Sequence, residues 1–424
     1  MKPFFSTKRF LFTVYLLSLL LTGCSGNKQE SKWYRGNMHT HSFWSDGNDF
    51  PENVAQWYKD HGYDFLAVTD HNLIQEGERW RSFPAKHPAL EKYLATFGRD
   101  WVEMRHDDQE EGVVNVRLKP FEEYRSLVEE PEAFLLIRGN EVSNPHAIHL
   151  LAFHQEKVIP VVEGTVEDRA KMISETVNNL REYREQTGIK AFPVLAHPNF
   201  TWAVTAEMMM AVPSLRFFEV FNGHPSVHNA GDEYRVSTGR IWDIVLSHRL
   251  RNDGKLLYGL ATDDAHHYHG GGAGPGKGWI MVRADTLRPG AILDALDKGD
   301  FYASTGVELN TIEFNGEKLK IEINPKGNEQ YVTEFIGTRK GFDPVSIPTT
   351  DAAGNNIENT TGTYSPQIGQ IFKSSNFLSP SYSFQGDELY VRVRITSTAD
   401  HIDPVSGKKL GKQRAWVQPC IQED

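Results

Sequence analysis

Residues 65–71 read FLAVTDH, an apolar run that is followed at once by a hydroxyl, a carboxylate and an imidazole. The same order recurs through residues 33–301, where short apolar runs alternate with longer segments of helical pattern, such as residues 169–186. This alternation is typical of repeated βα units. In α/β barrels, the groups that bind ligands lie where the strands end. The sequence therefore predicts an α/β fold with a functional site at the ends of its strands.

The candidate strands are the apolar runs at residues 65–68, 134–137, 150–153, 192–196, 217–221 and 256–261. Most are followed by polar side chains, whereas His149 opens its run. Residues 72–133 depart from the regular spacing and are rich in charge and aromatic rings. A loop of this length is usually functional or a subdomain. We expect a cap-like insertion over the barrel mouth, with a solvated structural elaboration as the alternative.

Several His, Asp and Glu side chains have the spacing of metal ligands. His39 and His41 are two residues apart, so on a strand both imidazoles point to one face and can reach one ion. Asp264 and His266 repeat this spacing, and a carboxylate such as Glu141 can bridge two ions ~4 Å apart. These residue types suit zinc, manganese or iron, and the lack of a thiolate argues against a closed structural zinc site.

These motifs together resemble those of the polymerase-and-histidinol-phosphatase (PHP) family over residues 33–301. The ordered set is His39-X-His41, Ser45-Asp46-Gly47, Thr69-Asp70-His71-Asn72, Glu141, His149, His197-Pro198 and Asp264-X-His266. The resemblance implies a distorted (β/α)7 TIM-like barrel that binds two or three divalent metal ions at the carboxyl ends of its strands.

The resemblance also implies which residues hold each ion. One ion would bind His39, His41, Glu141 and Asp264; a second would share Glu141 and bind His149 and His197; a third would bind Asp46, His71 and His266. The predicted catalytic residues are Asp264, Glu141 and Asp70, the last by orienting a ligand. Asn222, Glu219 and His267 are candidate substrate contacts. For Asn222 and Glu219 the alternative is to orient ligands, and for His267 it is simple solvation.

Two features next to the Asp264-X-His266 motif each have two possible roles. Asp263 could exchange roles with Asp264, although the Asp-X-His spacing favours Asp264. The glycine-rich residues 270–276 could cradle an anionic oxygen with their backbone amides or form a mobile lid.

The predicted activity is metal-dependent hydrolysis of a small phosphate ester by a metal-bound hydroxide. The main alternative is a carbamate, amide or ester hydrolase on the same scaffold, because residues 415–419 (AWVQP) are similar to an exported, carbaryl-hydrolase-like branch of the family. An amidohydrolase and a non-catalytic surface binding lipoprotein are further alternatives. The metal ligands do not distinguish phosphate from carbonyl substrates.

The N-terminus predicts export and a lipid anchor. Residues 1–23 have the basic start and apolar run of a signal peptide, and LTGC at residues 21–24 is similar to a bacterial lipobox. Cys24 would then carry the lipid, and residues 24–32 would tether the enzyme to a bacterial membrane, at the periplasmic face or the cell surface. An ordinary signal peptide with a chance cysteine is the alternative. Cys420 would remain unpaired, which favours a buried structural role.

The rest of the chain divides by composition. Residues 33–305 would form the barrel, and residues 306–424, where apolar and charged residues alternate, would form a smaller β-rich domain. A formal charge of −11 and the absence of a basic stripe argue against a long nucleic acid as partner.

Overall fold

The computed structural model describes residues 31–106 and 110–422, together with residues 1 and 3. The expected lipid-bearing residue Cys24 and the expected signal peptide, apart from residues 1 and 3, lie outside the described residues. Within them, no helix combines the length and apolar character needed to cross a membrane. Ser31–Asp424 forms one compact unit.

The first part of this unit alternates strands and helices. Its elements are β1 (Lys32–Asn37), α1 (Pro51–Asp60), β2 (Phe65–Val68), β3 (Arg79–Pro84), α2 (Pro88–Phe97), β4 (Met104–His106), β5 (Val113–Leu118), α3 (Phe121–Val128), β6 (Leu135–Ser143), β7 (His149–Phe153), α4 (Arg169–Thr187), β8 (Phe192–Leu195), α5 (Ala206–Met210), β9 (Phe217–Asn222), α6 (Thr238–Leu250), β10 (Tyr258–Thr262), β11 (Trp279–Ala284), α7 (Pro289–Lys298) and β12 (Phe301–Ser304).

The elements after residue 306 are all strands. They are β13 (Glu308–Phe314), β14 (Lys318–Asn324), β15 (Tyr331–Arg339), β16 (Ser346–Ile347), β17 (Thr363–Tyr364), β18 (Gln370–Ser375), β19 (Ser381–Ser383), β20 (Glu388–Ile402) and β21 (Lys409–Cys420).

Thirteen strands join in one sheet, in the order β10-β9-β8-β7-β6-β2-β1-β11-β12-β21-β20-β15-β18. Strands β1, β2 and β6 are mutually parallel, as are β8, β9 and β10. Strand β7 is antiparallel to both neighbours because a short turn, residues 144–148, joins it to β6 and leaves no room for a crossover helix. The α/β fold class is thus confirmed, with one reversed strand.

The described strands do not close into a barrel through a continuous ladder. The described segments that follow β1 and β10 pair with each other only at one isolated parallel bridge, between Thr40 and Ala265. There the amide of His41 donates to the carbonyl of Ala265 over 2.9 Å, and the amide of Asp264 donates to the carbonyl of His39 over 3.0 Å. The two ends of the α/β part of the sheet therefore meet along a narrow seam, and the closed (β/α)7 barrel remains a prediction.

The core lies on both faces of the α/β part of the sheet. All four residues of β2 are buried, as expected for a parallel strand that is covered on both sides. One cluster, which includes Tyr34, Phe65 and Leu260, packs on one side of the strands. Another packs α6 against β9 through Trp242 and Phe218, whose ring centroids are 5.7 Å apart.

The insertion at residues 72–133 has a small sheet of its own, in the order β3-β5-β4, together with α2 and α3. Its apolar side packs on the turn after β1, where Phe50 stacks on Tyr93 with ring centroids 4.1 Å apart. The insertion therefore contacts the segment that carries the first candidate ligands.

The β-rich C-terminal part continues the main sheet. Strand β12 pairs with β21 through Tyr302 and Val417, and the side-chain amide of Gln418 bonds to both the N–H and the C=O of Gly259 in β10. These contacts fix the C-terminal strands to the strands that position the site.

Candidate metal centre

The candidate ligands converge at one end of the sheet because of strand direction. His39 and His41 follow β1, His71 follows β2, His197 follows β8, and Asp264 and His266 follow β10, while Glu141 lies in β6. His149 is the first residue of β7, the reversed strand, so the start of this strand lies where the parallel strands end. The reversal explains why His149 opens its apolar run while the other ligands follow theirs.

Glu141 is the centre of the cluster and is 1% exposed. Its Oε1 lies 3.0 Å from His149 Nδ1 and 3.1 Å from His197 Nε2. Its Oε2 lies 2.9 Å from His71 Nδ1 and 3.4 Å from His41 Nε2. The two carboxylate oxygens thus face different sets of imidazoles, as a bridging ligand requires.

Asp264 faces the paired imidazoles of the first motif. Its Oδ1 lies 3.2 Å from the Nε2 atoms of both His39 and His41. The backbone of Asp264 has φ +51°, and that of His197 has φ +22°. Left-handed backbone is strained for residues other than glycine and is concentrated at functional sites.

A third group lies at the mouth of the cluster around Asp46. Its carboxylate oxygens are 3.5 Å from His266 Nε2 and 3.6 Å from both His41 Nδ1 and His71 Nε2. The Asp46 side chain is 56% exposed, in contrast to the floor of the cluster. This group is therefore the part of the cluster that solvent reaches most easily.

The donor atoms fit divalent ions. The Nε2 atoms of His39 and His41 and the Oε2 of Glu141 are buried without a hydrogen-bond partner in the described structure. Buried polar atoms of this kind normally have a partner, so atoms left over at a common point indicate a ligand. Three groups of nitrogen and carboxylate ligands, each within 4.8 Å, could hold an ion. Together with His149, they contain all nine ligands expected from the sequence.

Metal binding needs neutral imidazole and charged carboxylate. The cluster meets this condition only in part, because neighbouring carboxylates outweigh burial and raise the pKa of His39, His71, His197 and His266. Burial lowers the pKa of His41 to about 4, and the neighbouring charge of His266 adds to this effect. Burial opposes ionisation of Glu141, but the charges of His39, His149 and His71 outweigh it and hold the pKa of Glu141 well below its usual range.

Glu219 lies beneath the cluster, with no exposed surface. One of its oxygens accepts from His39 Nδ1 over 2.7 Å, and the other accepts from the amide of His197 over 2.7 Å. Asn222 donates to the Glu219 carboxylate over 2.8 Å and to Asp264 Oδ2 over 3.2 Å, and it is 1% exposed. The sequence left two roles open for Glu219 and Asn222, contact with a substrate or orientation of the metal ligands. Their buried positions fit the orientation of ligands and do not fit contact with a substrate.

Asp70 belongs to none of the three groups that could hold an ion. Its carboxylate accepts hydrogen bonds from the amides and hydroxyls of Ser42 and Ser45 and from the amide group of Gln75. It is 1% exposed. Asp70 therefore braces the turn between His41 and Asp46, and the structure gives it no direct place in the chemistry.

Asp263 organises the glycine-rich segment. Its carboxylate accepts from the amides of Gly276, Lys277 and Gly278 over 2.6–2.8 Å and from the Tyr58 hydroxyl over 2.7 Å. These bonds use both oxygens of Asp263. The geometry therefore favours Asp264 as the candidate metal ligand of the two adjacent aspartates. Residues 270–276 form a loop anchored at its end by these bonds.

The rim is formed by further histidines. His267 is exposed, and its Nδ1 accepts from the amide of Ala273 over 3.2 Å. Burial lowers the pKa of His224 to about 4, and its ring lies 5.5 Å from that of His266 between centroids. His267 is thus the one expected substrate contact that lies at the open side.

Sequence reasoning missed several supporting residues. The Ser143 hydroxyl lies 2.7 Å from His71 Nδ1, and Lys277, which is 1% exposed, donates to the carbonyls of Gly223 and Gly272 over 3.0 Å. Ser143 could have been found because it follows Glu141 by two residues and so shares a face of β6. Lys277 had no such signal, since its partners are distant in sequence.

No protein-family model and no curated protein sequence matches this chain. Among solved structures, the chain is similar to a two-domain protein from Bacteroides vulgatus described as containing a predicted PHP-like metal-dependent phosphoesterase, with 15% identity, a TM-score of 0.40 and coverage of 90% of this chain and 95% of the other. It is also similar to a putative metal-dependent phosphoesterase from Bifidobacterium adolescentis, with 13% identity, a TM-score of 0.27 and coverage of 55% and 87%. An amidohydrolase from Chromobacterium violaceum with bound sulfate and no metal gives 15% identity, a TM-score of 0.26 and coverage of 55% and 88%.

Proposed function

We propose that this protein is a metal-dependent hydrolase of the PHP type that cleaves a small phosphate ester. The observation that carries the proposal is the convergence of nine His, Asp and Glu side chains on one cluster, which is buried around Glu141 and exposed at Asp46. The cluster lacks the thiolates and the closed geometry of a purely structural metal site.

His39, His41, Glu141 and Asp264 would hold one ion, with the other two groups around Glu141 and Asp46. Bound divalent ions supply Lewis acidity, which makes hydroxide available near neutral pH and offsets charge on substrate oxygens.

The chain's own residues set the geometry for this chemistry. Glu219 fixes the ring of His39 so that only Nε2 faces the cluster, and Asp70 holds the turn that presents Asp46. Of the two buried ligand carboxylates, Asp264 is the more exposed, at 7% against 1% for Glu141. We assign Asp264 as the group that accepts the proton from the attacking water.

The test combines metal analysis with a substrate panel. The purified full chain is reconstituted with zinc, manganese or iron, the metal per chain is measured by elemental analysis, and aryl phosphates, phosphodiesters and aryl carbamates are assayed in parallel. We expect two or three ions per chain and turnover of a phosphate ester. Turnover of carbamates alone would replace the phosphoesterase proposal with the carbonyl alternative. Full metal loading without any turnover would favour a binding protein.

Asp264→Asn tests the assigned residue. We expect turnover to fall roughly a thousandfold or more, with the circular dichroism spectrum unchanged, because the variant removes both a ligand charge and the proton acceptor. Asp60→Asn, at an exposed position on α1, is the matched control and should keep full activity. Retained activity in Asp264→Asn would contradict the assignment.

We further propose that the chain is exported and anchored through a lipid on Cys24. The support is the basic start, the apolar run and the LTGC motif at residues 21–24. Labelled palmitate should be incorporated into the wild-type chain and not into Cys24→Ser, which should appear in the soluble fraction. Equal incorporation in both would disprove the anchor.

A further inference from the structure

A cavity lies at the opposite end of the strands from the candidate metal cluster. It has a volume of about 550 Å³ and is bordered by the end of α4, the starts of β8 and β9 and the loop before β10. Phe192, at the start of β8, lines it, whereas His197 follows the other end of that strand. Five residues of extended chain span about 16 Å, so the cavity is separate from the metal centre.

The lining of this cavity carries an excess of positive charge. Its charged side chains are Arg181, Arg184, Arg216, Lys255 and Asp297. The whole chain carries a formal charge of −11, so four cations around one cavity run against the general composition. A concave surface with one sign of charge concentrates ligands of the opposite sign.

Most of this positive charge is not neutralised by the protein. Asp297, the carboxylate in the lining, is bonded to Arg216, with Nη1 at 2.7 Å from its Oδ1 and Nη2 at 3.0 Å from its backbone oxygen. Arg181 Nε lies 3.9 Å from the exposed Glu185 carboxylate, a weak pair in water. Across the described residues, Arg184 and Lys255 have no ion pair or side-chain hydrogen bond, and the buried Nε of Arg216 has no partner.

The inner wall of the cavity is apolar. The rings of Phe192 and Phe217 pack with centroids 4.1 Å apart, and Pro193 and Pro213 stand beside them. The stems of the arginine side chains add further apolar surface below their charged ends. A cavity of a few hundred Å³ with apolar walls and a few polar groups is typical of a small-molecule site.

We propose that this cavity binds a soluble organic anion, with a carboxylate or phosphate head held by Arg184 and Lys255 and an apolar body against Phe192 and Phe217. Neither part of the lining suffices alone, since inorganic phosphate cannot use the apolar wall and an alcohol cannot use the cations. The proposal does not depend on the hydrolase activity, because none of these residues contacts the metal cluster.

Octanoate is a suitable probe because it has both features and no bond for a phosphoesterase to cleave. Titration calorimetry on the full chain should give one octanoate per chain, with octanol and inorganic phosphate each at least about tenfold weaker. Octyl phosphate, measured after chelator treatment to remove metal, should bind like octanoate. If octanol bound as tightly as octanoate, the cations would contribute nothing to binding. If inorganic phosphate bound as tightly as octanoate, the apolar wall would contribute nothing. Either result overturns the proposal.

The double variant Arg184→Gln/Lys255→Gln should weaken octanoate binding about tenfold or more, because it removes two charge-assisted contacts. Lys157→Gln/Lys171→Gln changes the net charge equally at exposed positions outside the cavity and should bind as the wild type does. Unchanged affinity in the first variant would overturn the proposal. Binding to phosphatidylglycerol vesicles without binding to octanoate would also overturn it and indicate a membrane-facing surface. Metal content and turnover should be normal in both variants, so failure here is separate from failure of the proposed function.

Discussion

At the scale of single residues, Glu219 shows how a side chain that touches no ion controls the site. It holds His39 through one oxygen and the backbone of His197 through the other. The Thr262 hydroxyl also donates to it over 2.6 Å. These donors all point at the two Glu219 oxygens, and an amide in place of the carboxylate would present N–H groups to some of them.

We therefore expect Glu219→Gln to lower metal affinity by ~10- to 100-fold, the range found for groups that orient ligands. Competition with a chromogenic chelator measures this affinity directly. Glu156→Gln, on an exposed loop, serves as the control. Unchanged affinity in Glu219→Gln would show that the ring of His39 is oriented by packing alone.

Glu52 is a second buried carboxyl, placed where the insertion meets α1. Burial raises the pKa of Glu52 to about 7, although hydrogen bonds from Tyr93 and Trp101 oppose this rise. One of its oxygens, Oε2, is buried and has no hydrogen-bond partner in the described structure. Because the pKa is raised in the folded state from about 4.3 in the unfolded chain, the stabilisation is complete below pH ~4.3 and is lost as pH rises through 7.

We expect the wild type to lose on the order of 3 kcal/mol from this group between pH 4.5 and 7.5, and Glu52→Gln to lack this contribution. The measurement is the free energy of unfolding in urea at several pH values for both proteins. Parallel pH profiles for the two would contradict the raised pKa.

At the scale of elements, α6 is joined to β20 by a buried ion pair. Arg392 donates to both oxygens of Asp243, through Nε over 2.7 Å and Nη2 over 2.6 Å, and the Tyr390 hydroxyl donates to the same carboxylate over 2.8 Å. Asp243 and Arg392 are 4% and 3% exposed. Removal of one partner leaves an uncompensated buried charge.

Arg392→Met should therefore destabilise the protein by about 3–5 kcal/mol, whereas Arg392→Met/Asp243→Leu should regain much of this loss. Urea denaturation of the two single variants and the double variant completes the cycle. A double variant as unstable as the sum of its single variants would contradict a direct interaction between the two side chains.

Element positions were largely predictable, and the reasons are visible in particular segments. The run at residues 65–68 coincides with β2, and the helical segment from residue 169 coincides with α4, because each carries its periodicity in local sequence. The antiparallel direction of β7 was not predictable, since an apolar run of residues does not show which way its strand runs in the sheet. The nine candidate ligands could be named through a motif in sequence order, but the roles of Asp70 and Asp263 depend on partners that only the folded chain brings near.

At the scale of the whole molecule, two regions of different composition form one folded unit. Strand β21 covers the edge of β12, and the turn between β20 and β21 reaches the metal end of the sheet. There Asp403 lies 3.5 Å from the buried ammonium of Lys277, and a Cβ at Gly276 would approach Pro404 Cγ to 2.7 Å. The C-terminal strands therefore support the loop that follows the last metal ligands.

A chain that ends at residue 305 should consequently fail to form a stable α/β unit, because it exposes β12 and leaves Lys277 and Asp243 without their ion-pair partners. Loss of near-ultraviolet circular dichroism and rapid proteolysis would be the expected signs. The full chain should unfold in a single transition. A truncated chain with native melting behaviour would show that the C-terminal strands are dispensable.

The seam between Thr40 and Ala265 has a consequence for assembly. Each side of the seam carries ligands, with His39 and His41 on one side and Asp264 and His266 on the other. Ions bound across it would act as a clasp, since metal–ligand bonds would hold together two chain segments that share only a few backbone hydrogen bonds. Metal binding would then stabilise the fold as well as supply the catalytic ions. A chain in which these two segments had not yet come together would lack a complete metal site.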